Sequence, residues 1–541
     1  MQRNEREDAG PVPPQRRRTP RLPRRPRRPA FLAAIALVLA SGALAPAGAS
    51  AQAKAPARKA AKPAFGLDDV AREAAKLALE RFRDPAGEVP RWLTEISYDQ
   101  WRDIRFRPEQ ALWRDARLPF QVQFFHPGLF YDRTVRVNVV DAEGVHVVPF
   151  SPSQFDYGRN EFGSMVPQDL GFAGIRLHYP IKRRDYYDEV IVFLGASYFR
   201  AVGRDLVYGL SARGVAVDTA TPSGEEFPYF REYWLERPRR VAKSAVIYAL
   251  LDSRRLTGAF RFEVTPGVET LVAVESRLFF REAIGKLGIA PLTSMFFHGE
   301  NTLLHFEDFR PEVHDSDGLL LHSSTGEWLW RPLDNRERLQ VSAFDLPDPK
   351  GFGLVQRDRD FDHYQDLEAR QDLRPSAWVE PSGPWGRGRI ELVEIPTDED
   401  INDNVVAYWV PEQPAVPAAP MTHGYTIRWM RDDQARPPGG RATSTHIERV
   451  EDAFRFVVDF VGDELAALPP ETVLQGVVTI GAGTGEDGEL VEQRVEKNPV
   501  SGGFRLVFRV RPKRRDALPL RAFLQQGPGA LTETWSYLLT P

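Results

Sequence analysis

Carboxylate, arginine and aromatic side chains are concentrated between Pro311 and Trp409. Flat aromatic rings can stack on pyranose rings, while Asp, Glu and Arg can satisfy the hydroxyl groups of a sugar. This mixture predicts a carbohydrate-binding cleft, lined by Trp328, Trp330, Tyr364, Trp378, Trp385, Tyr408 and Trp409. The alternative interpretation is that each ring, taken singly, belongs to the hydrophobic core, where aromatic side chains more often lie. The cluster is stronger evidence for a cleft than any of its members.

Other chemistries find little support in the sequence. The chain has no cysteine, which excludes a thiolate nucleophile, a disulfide framework and a Cys-ligated metal site. Its 10 histidines include no His-x-x-x-His pair. Asp358, Asp360 and Asp362 resemble the start of a calcium loop, but the turn glycine and the closing glutamate are missing, which favours a solvated acidic turn. We therefore expect neither a metal ion nor a cofactor.

The first residues are typical of a secretory signal peptide over 1–51. Arginines between Arg16 and Arg28 precede an apolar run from Phe31 to Ala45, and the small residues Ala49-Ser50-Ala51 follow. The apolar run is shorter than the ~20 residues that a spanning helix needs, so we expect cleavage near Gln52 and no membrane span afterwards. A short membrane anchor is the alternative, and the export route, Sec or twin-arginine, stays open. Residues 52–63 predict a flexible leader because they are rich in Ala, Lys and Pro.

The net charge argues against a nucleic-acid partner. The formal charge of −4 includes the strongly basic N-terminal segment, so the mature protein is more acidic than this value suggests.

The elements that must position the cleft are mostly β-strands. One short helix is predicted over Leu67 to Leu79, where apolar residues recur at helical spacing. Segments rich in Val, Ile, Phe and Tyr then alternate with Gly, Pro and Asp breakers, which predicts an all-β fold with antiparallel strands. The segments are 120–125, 135–140, 190–195, 244–251, 258–264, 270–280 and 389–395.

A second domain is predicted after a charged, Pro- and Gly-rich breaker. We place the linker at 432–442, after a large domain over 64–431. The following residues, 443–541, carry several short strand patterns separated by turn signals, the spacing of an immunoglobulin-like sandwich.

Several long segments, in order, resemble one known family. They include FGLDDVA (65–71), GASYFRAVG (195–203), YGLSARGVAVDTATPSGEEFPYF (208–230), PEVHDSDGL (311–319), TGEWLWRPL (325–333), GFGLVQRDRDF (351–361) and DLRPSAW (372–378). The chain resembles the periplasmic glucans biosynthesis protein G family, with the related D proteins as the second match. The similarity extends from Phe65 to Tyr537.

This resemblance implies a fold and a function. It implies a large galactose-mutarotase-like β-sandwich followed by a small immunoglobulin-like β-sandwich, and a periplasmic role in making osmoregulated glucans with a β-1,2-linked backbone. Through the D proteins it also resembles inverting endo-β-1,2-glucanases. The expected ligand is therefore β-1,2-glucan, and the inner-membrane glucan synthase is a candidate protein partner.

Three residues match functional positions of the glucanase pattern. The resemblance implies Asp403 as the general acid, Asp315 as the general base and Arg374 as a substrate contact. Together with Trp328, Trp330, Tyr364, Trp385 and Trp409, these form the predicted site. Gln371 stands where relatives have a tyrosine, so a sugar contact there can differ.

Two alternatives remain open for the aspartates and for the protein. Asp403 and Asp315 can simply cap turns, as the sequence Asn402-Asp403-Asn404 would allow. The protein can also be a glucan-binding factor without catalysis that presents nascent glucan to decorating enzymes, or a scaffold acting through its second domain. A glycoside hydrolase needs both carboxylates, whereas these alternatives do not.

Overall fold

A computed structural model describes residues 65–303, 307–431 and 436–541. The predicted signal peptide (1–51), the leader (52–63) and part of the predicted linker (432–435) lie outside these residues. Within them, the helices are α1 Leu67–Ala78, α2 Arg91–Thr94, α3 Tyr98–Arg102, α4 Phe361–Tyr364 and α5 Asp463–Ala466, with short 3-10 turns at Pro108–Gln110, Pro152–Gln154, Glu161–Met165 and Gln371–Leu373. In this described part no helix is long and apolar enough to span a membrane.

Strands are the main regular elements of the described structure. The first are β1 Arg105–Phe106, β2 Gln121–Phe125, β3 Arg136–Asp141, β4 Gly144–Val147, β5 Phe155–Asp156, β6 Gly174–Tyr179, β7 Asp188–Leu194, β8 Tyr198–Ala201, β9 Ser211–Arg213, β10 Val215–Val217, β11 Tyr229–Glu236, β12 Ala245–Asp252, β13 Leu256–Thr265, β14 Thr270–Phe280, β15 Leu287–Ser294, β16 Phe296–His298 and β17 Val313–His314. The others are β18 Gly318–His322, β19 Trp328–Pro332, β20 Gln340–Asp345, β21 Gly351–Val355, β22 Ser376–Pro381, β23 Gly388–Glu394, β24 Val405–Pro411, β25 Met421–Met430, β26 Arg441–Val450, β27 Ala453–Val461, β28 Gln475–Ile480, β29 Gly488–Lys497, β30 Phe504–Pro512, β31 Leu518–Gln526, β32 Gly529–Ala530 and β33 Thr534–Leu539. The predicted all-β class is confirmed.

Two large sheets pack face to face around the main core. The first sheet has the order β2-β6-β7-β8-β9-β15-β24-β23-β20, and the second has the order β28-β31-β33-β19-β18-β21-β22-β25-β14-β13-β12-β11-β3-β4. Alternating residues of β14 are buried, as its sequence pattern predicts. Phe193 of the first sheet meets Phe262 of the second at 5.0 Å between ring centroids. Helix α1, confirmed where it was predicted, buries Leu67, Val70 and Ala74.

A third sheet, β26-β27-β30-β29, covers a smaller core near the C-terminus. Phe456 and Phe508 of this sheet stack at 5.1 Å, and Phe456 contacts Trp535 of β33 at 5.7 Å. Strand β33 also pairs in parallel with β19, so strands from both sides of the predicted linker share the second sheet. The domain boundary at 432–442 and the two finer domain names stay predictions.

A buried ion pair joins the segments on either side of that boundary. Arg357 donates from its terminal nitrogens to Oε1 of Glu533 at 2.6 Å and to Oε2 at 2.9 Å. The guanidinium group also lies 3.6 Å from the ring centroid of Trp330. Glu533 accepts a further hydrogen bond, 2.8 Å long, from the backbone N–H of Ala442. Each charge therefore has its partner inside the protein.

We expect Glu533→Ala to lower the free energy of unfolding by about 3–5 kcal/mol, because it leaves the buried Arg357 charge unpaired. Urea titration followed by circular dichroism measures the change. Glu489→Ala is the control: Glu489 is exposed and pairs with Arg511 at 3.0 Å, so its loss should cost about 0–1 kcal/mol. Equal losses in the two variants would contradict the role given to the buried pair.

Candidate active site

The end of strand β15 brings the two predicted catalytic aspartates together. The backbone N–H of Asn404 donates to the carbonyl of Ser294 at 3.1 Å, and that of Asp315 donates to the carbonyl of Met295 at 2.9 Å. Ser294 and Met295 are consecutive, so the loops that carry Asp403 and Asp315 both attach to one point of the first sheet. Residues far apart in sequence thus become neighbours.

Asp403 is the more exposed of the two aspartates. Its side chain is 28% exposed, and its Oδ2 lies 4.0 Å from a terminal nitrogen of Arg200. The hydroxyl of Ser211 donates to the same oxygen at 3.3 Å. The next residue, Asn404, fixes the loop: its Oδ1 accepts from the N–H of Phe296 at 2.8 Å and its Nδ2 donates to the carbonyl of Phe296 at 2.9 Å. Asn404 therefore makes the side-chain hydrogen bonds to the backbone that the turn-cap alternative assigned to Asp403.

Asp315 is the buried member of the pair. Its Oδ1 lies 3.5 Å from Nε of Arg374 and has no hydrogen-bond partner among the described residues. Burial raises the pKa of the Asp315 carboxyl; the Arg374 charge opposes this effect, and the Asp403 charge adds to it. The two carboxylates are therefore electrostatic neighbours. A buried carboxyl of this kind holds a proton more strongly than an exposed one.

Arg374 is held from several sides. Its Nε donates to the carbonyl of Ala369 at 3.1 Å, and one terminal nitrogen donates to the carbonyl of Tyr208. Gly209 lies against the side chain, and a Cβ at this position would come within 2.9 Å of Cδ of Arg374. Glycine therefore leaves the space that the arginine fills. Gln371 begins the 3-10 turn before Arg374 and is buried, and its Oε1 has no hydrogen-bond partner among the described residues.

A histidine network supports the segment that carries Asp315. Nε2 of His314 lies 2.8 Å from Oε2 of Glu312, and Nδ1 lies 3.1 Å from Oε1 of Gln356. Burial disfavours the charged imidazole, but the hydrogen bond to Glu312 and the charges of Asp317 and nearby Glu300 outweigh it and raise the pKa of His314 to about 9. His314 is thus expected to be an imidazolium at neutral pH.

The same network contains the residues that could best hold a metal ion. The ligand atoms of Glu312, His314 and Asp317 lie within 4.8 Å of one another, as do those of Glu312, Asp358 and His363. In the structure the first group forms a buried network of ion pairs between His314 and the carboxylates of Glu312 and Asp317.

Most of the predicted sugar-stacking rings lie in the core. Trp330, Trp385, Trp409 and Tyr364 are buried, as are Trp378 and Tyr408. Trp385 and Trp409 contact each other at 5.1 Å, while the half-buried Trp328 stacks on His322 at 3.9 Å. In this structure the buried rings offer no free face to a sugar, which matches the core alternative, and sugar contact by any of them stays a prediction.

Tyr364 is the predicted ring that hydrogen bonds connect, through Gln356 and His314, to the segment that carries Asp315. Its hydroxyl accepts a hydrogen bond of 2.8 Å from Nε2 of Gln356, whose Oε1 in turn contacts His314. The predicted residues that the structure brings together are therefore Asp403, Asp315 and Arg374, with Tyr364 behind them.

Three further polar residues belong to the site and were not predicted individually. Arg200 and Ser211 contact Asp403, and Arg213 lies two residues beyond Ser211 on β9, on the same face of the sheet. Nε of Arg213 donates to the hydroxyl of Thr293 at 3.0 Å. All three lie in the segments 195–203 and 208–230 that carried the family resemblance, which is the signal that could have found them.

Comparisons with known proteins agree with this resemblance. The sequence model of a family described as periplasmic glucan biosynthesis protein, MdoG, matches residues 65–539. A relative from Ralstonia nicotianae, named glucans biosynthesis protein G, is 50% identical over 490 residues, which cover 88% of this chain and 96% of the relative.

Among solved structures, a polysaccharide lyase aligns over 68% of this chain and 44% of its own, with 9% identity and a TM-score of 0.18. A marsupial T cell receptor aligns over 64% of this chain and 95% of its own, with 13% identity and a TM-score of 0.11. These scores are too low to support an argument about function. The match to the family model and the close relative do support one: the chain belongs to the family of periplasmic glucan biosynthesis proteins.

Proposed function

We propose that the protein hydrolyses the β-1,2-linked backbone of periplasmic glucan with inversion at the anomeric carbon. Family membership places its work in periplasmic glucan biosynthesis. The hydrolytic step is supported by one observation above all: the buried Asp315 and the partly exposed Asp403 meet at the end of β15, each beside an arginine. Glycosidic hydrolysis with inversion needs two carboxyl groups on opposite sides of the scissile bond.

In this mechanism Asp403 is the general acid. Its proton passes to the glycosidic oxygen as the bond between that oxygen and the anomeric carbon breaks. A water molecule attacks the anomeric carbon from the opposite face, and Asp315 takes a proton from it, directly or through another water. The products are two shorter glucans, one of which has a new reducing end in the α configuration.

The surroundings suit these roles. Burial makes Asp315 more basic than an exposed aspartate, which favours proton uptake from water. Asp403 is exposed enough to reach a bound glucan, and Ser211 and Arg200 orient its carboxyl group.

Arg374→Ala tests the electrostatic part of the proposal. We expect kcat/KM on linear β-1,2-glucan to fall by about 10–100-fold, because a charged group with several donors is lost. The Arg374 charge lowers the pKa of Asp315, so its removal raises that pKa. Since the base must be deprotonated, the acidic limb of the pH–rate profile should move to higher pH.

The control for this variant is Arg387→Ala, which removes an exposed arginine that pairs with Glu412 at 2.7 Å. Its kcat/KM and pH profile should match those of the wild type. An unchanged acidic limb in Arg374→Ala would show that Arg374 does not set the ionisation of Asp315.

A further inference from the structure

A cavity of about 620 Å³ is lined largely by the segment 218–229, which follows strand β10. Glu225 and Phe227 line it, and both contact Arg213: Oε1 of Glu225 accepts from a terminal nitrogen at 2.6 Å, and the guanidinium carbon lies 5.5 Å from the Phe227 centroid. Arg213 and Ser211 point to the same side of β9, and Ser211 bonds to Asp403. Arg213 thus connects the wall of the cavity to the strand that contacts Asp403, and the volume of the cavity is in the range of ligand pockets.

Phe227 forms a fixed aromatic platform at this cavity. The guanidinium group of the buried Arg213 lies between two rings, 4.7 Å from the centroid of Tyr198 and 5.5 Å from that of Phe227. Such cation–π contacts hold a ring from one side. Phe227 nevertheless remains 48% exposed, so ring surface is left for a ligand.

The loop that carries this platform is pinned at both ends. Arg255 donates to Oδ2 of Asp218 at 2.5 Å and to Oε2 of Glu226 at 2.7 Å. Oδ1 of Asp218 also accepts from the N–H of Lys286 at 2.9 Å. Bonds at both ends keep the loop in one conformation, and rigid support of this kind lets a binding site hold its geometry.

The charges around the cavity disfavour an anionic ligand. The lining has five carboxylates and three arginines, so an anionic ligand would meet net negative charge. Arg255 pairs with Glu226, and Glu225 pairs with Arg213. Their remaining donor and acceptor positions can still bind hydroxyl groups. An aromatic ring beside such groups is the combination that binds a sugar ring.

We propose that this cavity is an extended glucan subsite, in which an unsubstituted part of the chain beyond the cleavage point stacks on Phe227. The inference rests on the proposed function, since it requires that the aspartates act on the same glucan. It predicts that long chains bind more tightly than short ones and that Phe227 accounts for part of the difference.

The test is calorimetric titration of the mature protein carrying Asp403→Asn, so that the glucan is not consumed. Adding Phe227→Ala should weaken binding of long linear β-1,2-glucan by about 5–30-fold through loss of the stacking surface. Binding of a β-1,2-linked disaccharide should change less than twofold, and Phe227→Trp should restore binding of the long chain. Tyr186→Ala, which removes another exposed ring outside the cavity lining, is the matched control and should bind like its parent.

Equal affinity of the Phe227→Ala protein and its parent for the long glucan would overturn the subsite and leave the proposed function standing. An equal loss in Tyr186→Ala would also overturn it. If the parent protein bound no β-1,2-glucan at all, the proposed function would fail, and the subsite would fail with it. Thermal unfolding of each variant confirms that the comparison is between folded proteins.

Discussion

Asp403→Asn is expected to lower kcat on linear β-1,2-glucan by about 10²–10⁴-fold, which is the usual contribution of general acid catalysis. Asparagine keeps the size and polarity of the side chain, and Ser211 can still bond to its oxygen, so glucan binding should survive. Reducing-end assays give the rate, and calorimetry gives the affinity. The loss should therefore appear in kcat much more than in binding.

A substrate with a better leaving group tests the acid role of Asp403 more directly. An aryl β-1,2-glucoside with an acidic phenol leaves without protonation, so Asp403→Asn should recover most of the wild-type rate on it. Asp398→Asn is the control, because Asp398 is an exposed residue of the same loop. Unchanged turnover of glucan by Asp403→Asn would remove Asp403 from the mechanism.

Asp315→Asn should lower kcat by a similar factor of about 10²–10⁴, but for a different reason. The variant lacks the base that takes a proton from the attacking water, so a better leaving group should not restore its rate. Recovery of Asp315→Asn and failure of Asp403→Asn on the aryl substrate would mean that the two roles are exchanged.

Stability offers an independent check on Asp315. A carboxyl whose pKa is raised in the folded state stabilises the protein below its unfolded pKa, and that stability is lost as the pH rises through the folded value. Asp315→Asn removes the carboxyl group and with it this loss of stability at high pH, so the unfolding midpoint at pH 7 should stay the same or rise. A large drop at pH 7 would indicate a structural role that also explains lost activity.

Local sequence patterns predicted the elements well because they depend on neighbouring residues. The alternation in 270–280 became β14, and the helical spacing from Leu67 became α1. The pairing of β19 with β33 could not be predicted, because these strands meet only through the fold and no local pattern encodes their contact.

The candidate site likewise combines residues that the sequence predicted with contacts that only the fold reveals. Asp403, Asp315 and Arg374 were named from family segments, and the structure brings them together. Ser211 and Asp403 are 192 residues apart, so only the strand order of the first sheet reveals their contact. Composition does not say which face of a strand is covered: Trp409 is buried on β24, a strand in the interior of the first sheet, and its contact with a sugar stays a prediction.

The most direct test of the proposed function is to digest linear β-1,2-glucan with the purified wild-type protein and to follow the first product by proton NMR while its size is measured. The proposal predicts shorter glucans whose new reducing ends appear first as the α-anomer and then mutarotate. Initial β-anomer would contradict inversion. Intact glucan after prolonged incubation, with binding still measurable, would contradict hydrolysis and identify the protein as a glucan-binding factor.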